Sequence, residues 1–256
     1  MQIVFLGTGG GRVNLLSQER STGGFRINGP IKIHVDPGPG ALIFGNKYGQ
    51  KAADVQLLIV THNHIDHVND AGLMIEAMSE YALKKKGRLI ASKSVIIGDE
   101  NGDKGVTNYH LNKLESYAVA EPGVAIGVKI GNASCRIIPV PVRHEDTTGF
   151  GFVLEMGGKR IGYTSDTEYF EGIAGHYAGC GILIVNNIKA TPDNLKGHMH
   201  SAVTAKLLSE AKPALAIITH MGMKLLHAGP EAEAEKISKA SGVKTIAAKD
   251  GMEFVV

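Results

Sequence analysis

Short apolar runs alternate along this chain with clusters of glycine, proline and polar residues. QIVFL, GFRI, IKIHV, VQLLIV, RLIAS, GVAIGVKI, SCRIIPVPV, GFGFVLEM, RIGYTS, GILIVNN, LAIITH and KTIAAKD are strand-sized and stopped by turn formers such as GTGGG and DPGPG. Helical spacing of apolar positions predicts helices over Asp70–Lys85, Ala202–Ala211 and Pro230–Ser241. In the last of these, Pro230 stands in the first turn and EAEAEK places acids at the positive end of the helix dipole. Lys84–Lys86 is expected to close the first helix at its negative end. By contrast, RVNLLSQERSTGG, after the glycine turn, opens no clear helix. The mixed order of elements predicts an α/β fold. With 256 residues and no linker, charge block or short repeat, one domain spanning 1–256 is expected.

Chemistry is concentrated in THNHIDHVND, which follows VQLLIV: His62, His64, Asp66 and His67 put four metal-capable side chains into six residues. They fall in the turn at the carboxyl end of a predicted strand, where layered α/β folds open their crevices. Packing gives no reason to gather three imidazoles in one place, because each must find a polar partner. Imidazole and carboxylate donors suit zinc, manganese or iron rather than calcium or magnesium. With two cysteines, Cys135 and Cys180, far apart, a thiolate site is excluded and two buried thiols are expected.

The string His62-Asn63-His64-Ile65-Asp66-His67 resembles the HxHxDH signature of the metallo-β-lactamase fold hydrolases, and further candidates follow in that family's order. His144 ends RIIPVPVRH, Asp166 lies in RIGYTSDT and His220 ends ALAIITH, each after a strand-like run. Taken alone, Asp166 reads equally well as a helix cap, and His144 and His220 as loop histidines. The resemblance implies an αββα four-layer sandwich, two mixed sheets face to face with helices outside and the ligands at one rim. It also implies two divalent ions per chain, Zn²⁺ first with Mn²⁺ or Fe²⁺ open. His62, His64 and His144 would hold one ion, Asp66, His67 and His220 the other, and Asp166 would bridge them. Two such ions about 3.5–4 Å apart would share a hydroxide and clamp the attacked and leaving oxygens.

The opening GTGG turn is similar to that of the RNase Z and phosphodiesterase branch. A nucleotide loop is not indicated, since no Gly-Lys-Ser/Thr is present; a tight turn near the metals is the better reading. Asp36, in the DPGPG turn, is a candidate to hold a ligand histidine from behind. His198, in LKGHMHSA, resembles the non-ligand histidine with which such phosphodiesterases contact phosphate, so Asp66 and His198 are the candidate catalytic residues. His200, two positions on, competes with His198 for that place. Lys189, Lys196, Arg143 and Lys224 flank the motifs, and read either as holders of a distal charge or as plain surface.

Between His144 and Asp166 there is room for a hairpin but not for the long tRNA-binding arm of RNase Z. Twenty-seven Lys and Arg against 25 Asp and Glu, net +2, leave no basic stripe for a nucleic acid. The expected substrate is therefore a small phosphodiester, nucleotide-like or cyclic. A lactonase is the alternative, with Tyr169, three residues after Asp166, in the place of a carbonyl-polarising tyrosine. A metal-binding protein without turnover is a further one. The amino terminus shows no secretory pattern and no apolar run is membrane-length, so a cytoplasmic protein is expected, with a homodimer compatible with the family.

Overall fold

The computed structural model describes residues 1–256. In chain order the strands are β1 (Gln2–Phe5), β2 (Phe25–Asn28), β3 (Lys32–Val35), β4 (Leu57–Val60), β5 (Arg88–Ala91), β6 (Ser116–Val119), β7 (Ile126–Ile130), β8 (Ala133–Pro141), β9 (Phe150–Met156), β10 (Lys159–Tyr163), β11 (Ile182–Lys189), β12 (Met199–His200), β13 (Leu215–Thr219), β14 (Thr245–Ala247) and β15 (Glu253–Val255). One sheet runs β15-β1-β2-β3-β4-β5-β6, the other β14-β13-β11-β10-β9-β8-β7 with β12 beside β11. Both are mixed: β3 to β6 are parallel in the first, β10, β11, β13 and β14 in the second, and the remaining pairs of the two sheet orders are antiparallel.

Period-two alternation sorts the side chains into three apolar layers. Leu57 and Ile59 of β4, Phe150, Phe152 and Leu154 of β9, and Ile182 and Ile184 of β11 point between the sheets. Their neighbours Leu58 and Val60 meet helix Ala71–Met78 on one outer face; Val153, Leu183 and Val185 meet helices Ser201–Ala211 and Pro230–Ser241 on the other. Strands covered on both faces need uninterrupted apolar runs, which is why VQLLIV and GILIV carry no polar alternation. Three apolar layers make four layers of structure, helix on sheet on sheet on helix, the sandwich that the motif order implied. No helix is long and apolar enough to cross a membrane.

Two local expectations are corrected. Helix Ala71–Met78 stops seven residues short of Lys85: the Ser79 hydroxyl takes the Ile75 carbonyl at 2.6 Å, and Glu80, Tyr81 and Ala82 turn left-handed to bring the chain back to β5. Lys84 and Lys86 therefore pair with Glu80 in this turn, at 2.6 and 3.1 Å, instead of closing a helix. A helix does follow the glycine turn, at Gly11–Ser17. Asn14 is its one fully buried residue, tied to the backbone of Arg20 at both ends of its amide, while Val13 and Leu16 are exposed. With no apolar stripe the segment has no readable period.

Candidate metal centre

Parallel strands deliver their chemistry where they end. Thr61–His67 follow β4, Ser165 and Asp166 follow β10, Asn186 stands where β11 makes its last pairing with β13, and His220 follows β13; His144 arrives after β8. Asp36, Ser165 and His220 take left-handed backbone at φ 50°, 54° and 55°, a strained conformation held after the ends of β3, β10 and β13. The close approach of Gly10 to His220 explains the glycine turn: a methyl group there would lie 2.2 Å from His220 Nδ1.

The seven residues of the implied ligand set meet at one rim. His62, His64 and His144 present ring nitrogens within 4.8 Å of one another, as do the donor atoms of Asp66, His67 and His220. Asp166 lies between the triads, its Oδ2 3.9 Å from His62 Nε2, 3.5 Å from His67 Nε2 and 3.9 Å from His144 Nε2, its Oδ1 3.4 Å from His220 Nδ1. His198 joins them, its Nδ1 3.5 Å from Asp166 Oδ2 and its ring stacked on that of His220.

His200 does not join them. It pairs with Lys189 across the β11–β12 register, away from the cluster. Tyr169 is not brought in either: its hydroxyl bonds Glu210 near the far end of helix Ser201–Ala211, under the ammonium of Lys206. Among the flanking cations, Lys189 is buried and bonds Asp193 and the Leu195 carbonyl, and the Arg143 guanidinium stacks on Phe170.

The donor set fits bound cations. His62 Nε2, both ring nitrogens of His144 and His220 Nδ1 are buried without a hydrogen-bond partner, an arrangement costly to any protein that leaves it so. Burial lowers His62 and holds His144 down to about 4, leaving both as neutral imidazoles with a free lone pair at neutral pH. Burial pushes Asp166 and Asp66 up, but the surrounding imidazoles outweigh it and hold both below the usual carboxylate range. His67 is pulled the other way: burial lowers it, yet Asp166, Asp66 and Asp36 raise it above its ordinary value. The protein thus concentrates buried negative charge on which a bound cation would replace that proton.

Behind the donors stands a hydrogen-bonded frame. Asp36 accepts from Thr61 N–H (2.7 Å), Thr61 Oγ1 (2.8 Å), Tyr163 Oη (2.9 Å) and His67 Nδ1 (3.0 Å). With its hydroxyl proton given to Asp36, Thr61 Oγ1 accepts from His62 Nδ1 at 3.2 Å, which leaves Nε2 as the lone-pair nitrogen facing Asp166. Asn186 Nδ2 donates to Tyr163 Oη (3.1 Å) and to Asp166 Oδ1 (2.7 Å), so Oδ2 is the oxygen turned to the centre. Asp146 holds Asn63 N–H at 2.9 Å, between two of the histidines. Asp36 was legible as a supporting residue. Tyr163, Asn186 and Asp146 were not, since each is an ordinary residue until the strands are laid side by side.

Fold and centre together define an αββα protein with a histidine- and aspartate-lined rim built for cations. Residues 32–221 match the beta-lactamase superfamily domain, and the chain belongs to that superfamily. An uncharacterized protein of Methanocaldococcus jannaschii is 36% identical over 256 residues, covering 99% of this chain and 94% of its own. A metal-dependent hydrolase of Archaeoglobus fulgidus is 26% identical over 249 residues, covering 90% and 94%. Among solved structures, the metallo-beta-lactamase fold protein YhfI of Bacillus subtilis superposes with a TM-score of 0.75 at 19% identity, covering 99% of this chain and 98% of that one. A diphosphatase of the PhnP family gives 0.68 at 17%, covering 100% and 98%.

Proposed function

We propose that this protein is a binuclear metal-dependent hydrolase that cleaves a small phosphodiester, nucleotide-like or cyclic. One observation carries the reading: two donor triads flank Asp166, and His198 stands within reach of the same carboxylate but outside both triads. His62, His64 and His144 would hold one ion, Asp66, His67 and His220 the other, with Asp166 Oδ2 between. Bound there, zinc or a similar ion pair supplies Lewis acidity and a water whose pKa is lowered to about 7.

The chain's own residues do the rest. His64, His198 and Asp66 are the more open members of the cluster, with 35%, 13% and 11% of their side chains exposed against 1% for His62 and His144, so substrate enters over them. From Nδ1, His198 can donate to a phosphoryl oxygen or give a proton to the departing alkoxide, a contribution of roughly 10²–10⁴-fold. Asp36, through His67 Nδ1, and Thr61, through His62 Nδ1, keep the inward nitrogens aimed. The hairpin β9–β10 fills the chain between His144 and Asp166, which argues for a small substrate over tRNA. A lactonase would need a polarising hydroxyl, and that of Tyr169 is committed to Glu210.

The test compares turnover of bis(p-nitrophenyl) phosphate with that of a short-chain lactone by metal-loaded protein. His198→Ala should lower phosphodiester turnover at least about tenfold at unchanged metal content. Preference for the lactone, or an undiminished rate in the variant, would overturn the assignment.

A further inference from the structure

His198 reaches the centre on a strap that does little to hold itself. The strap leaves β11 after Lys189, and its residues Thr191–Lys196 are all exposed, so their packing cannot aim the histidine they lead to. Two of its hydrogen bonds come from its own root: Lys189 Nζ donates to Asp193 Oδ1 at 2.7 Å and to the Leu195 carbonyl. The hydrogen bond that reaches it from another loop is made by Glu168, whose Oε1 accepts from Gly197 N–H at 2.7 Å, one residue before His198.

Glu168 is itself tightly placed. Its N–H donates to the carbonyl of Arg143 at 2.9 Å, and Arg143 N–H donates to Thr167 Oγ1 at 2.9 Å, so it lies bolted to the residue before His144 and two residues after Asp166. Gly197 is buried, with φ +76°, and a methyl group on it would lie 2.9 Å from His144 Cδ2. The backbone before His198 is thereby held between an imidazole on one side and a carboxylate on the other. We propose that Glu168 is the positioning residue for His198: by fixing the Gly197 amide it sets where the imidazole stands relative to Asp166. This rests on the reading of His198 as the substrate-facing histidine. A charge-assisted bond to a carboxylate is both shorter and stronger than a neutral one, which suits an anchor one residue before His198, where the buried Met199 and its pairing with β11 already hold the chain one residue after it.

The experiment compares Glu168→Ala, Glu168→Asp and Glu168→Gln in the metal-loaded full chain by three readouts. Hydrogen exchange of the Gly197 amide should quicken about tenfold or more in Glu168→Ala, and also in Glu168→Asp, which keeps the charge but is one methylene too short. Glu168→Gln retains Oε1 as acceptor and should restore most of the protection. Turnover of bis(p-nitrophenyl) phosphate should fall about tenfold in kcat for Glu168→Ala, with bound metal unchanged, as for other residues that orient a working group. In a His198→Ala background the same substitution should cost nothing further, because the two act as one unit. Unchanged Gly197 exchange in Glu168→Ala and Glu168→Asp, or a full additive loss beside His198→Ala, overturns the proposal. If His198→Ala itself leaves turnover intact, the phosphodiester reading falls, while Gly197 exchange still decides the role of Glu168.

Discussion

Asp36→Asn is the sharpest probe of the frame behind the metal centre. The carboxylate is buried and takes four donors, three of them on Oδ2. An amide offers one acceptor oxygen and one NH₂. In its better orientation the oxygen keeps Thr61 Oγ1, Tyr163 and His67, and the NH₂ faces Thr61 N–H where the donor–acceptor distance was 2.7 Å. Two buried donors, Thr61 N–H and the new NH₂, then lack a partner, costing about 1–3 kcal/mol each, and three bonds lose their charge assistance at a fraction of that each. A net loss of about 3 kcal/mol corresponds to roughly 6–12 °C in Tm for a chain of this size. The His67 ring, no longer held by a carboxylate, should bind its ion about 10–100-fold more weakly. Scanning calorimetry of metal-free protein reads the first effect and competition with a chelator of known affinity reads the second. A Tm within about 2 °C of the parent, together with unchanged metal affinity, would refute the reasoning.

Two further outcomes concern residues on either side of this frame. His34 is buried, with burial first and Arg26 beside it holding its pKa down to about 3 against the pull of the Gly23 carbonyl. The unfolded chain therefore binds a proton that the folded one refuses, and stability falls as pH drops from about 6.5 towards 3; by pH 5 the loss from this one residue is about 2 kcal/mol. His34→Leu should flatten the difference in unfolding free energy between pH 7 and pH 5, read by urea titration, by that amount, and an unaltered difference would contradict it. Gly10→Ala should displace the His220 ring and, on the two-ion reading proposed above, lower bound metal from two ions per chain towards one, read by elemental analysis; two tightly held ions would show that the close approach is not needed.

Much of the site was legible along the chain because its signal is local. THNHIDH packs its donors beside a strand, and His144, Asp166 and His220 each follow an apolar run, so both the order of the candidate donors and the strand ends could be read. Helix Pro230–Ser241 came out at its expected bounds for the same reason: proline, acids and a C-terminal glycine mark it within its own sequence. Helix Gly11–Ser17 stayed hidden, since what fixes it is the reach of Asn14 to Arg20 and not an apolar stripe. Likewise the turn after Met78 is set by where β5 must begin, which no propensity of AGLMIEAMSEYALKKK records.

The sequence by itself determined which side chains hold chemistry and which faces of each strand are apolar, because both are properties of neighbours within a few residues. Tertiary structure alone decided who stands behind whom. Tyr163 reaches Asp36 across 127 positions, Asn186 reaches Asp166 from the next strand, and Glu168 reaches Gly197 from another loop. Such pairings depend on the register of strands within each sheet and on how the two sheets face one another, and that relation arises only when the apolar layers close.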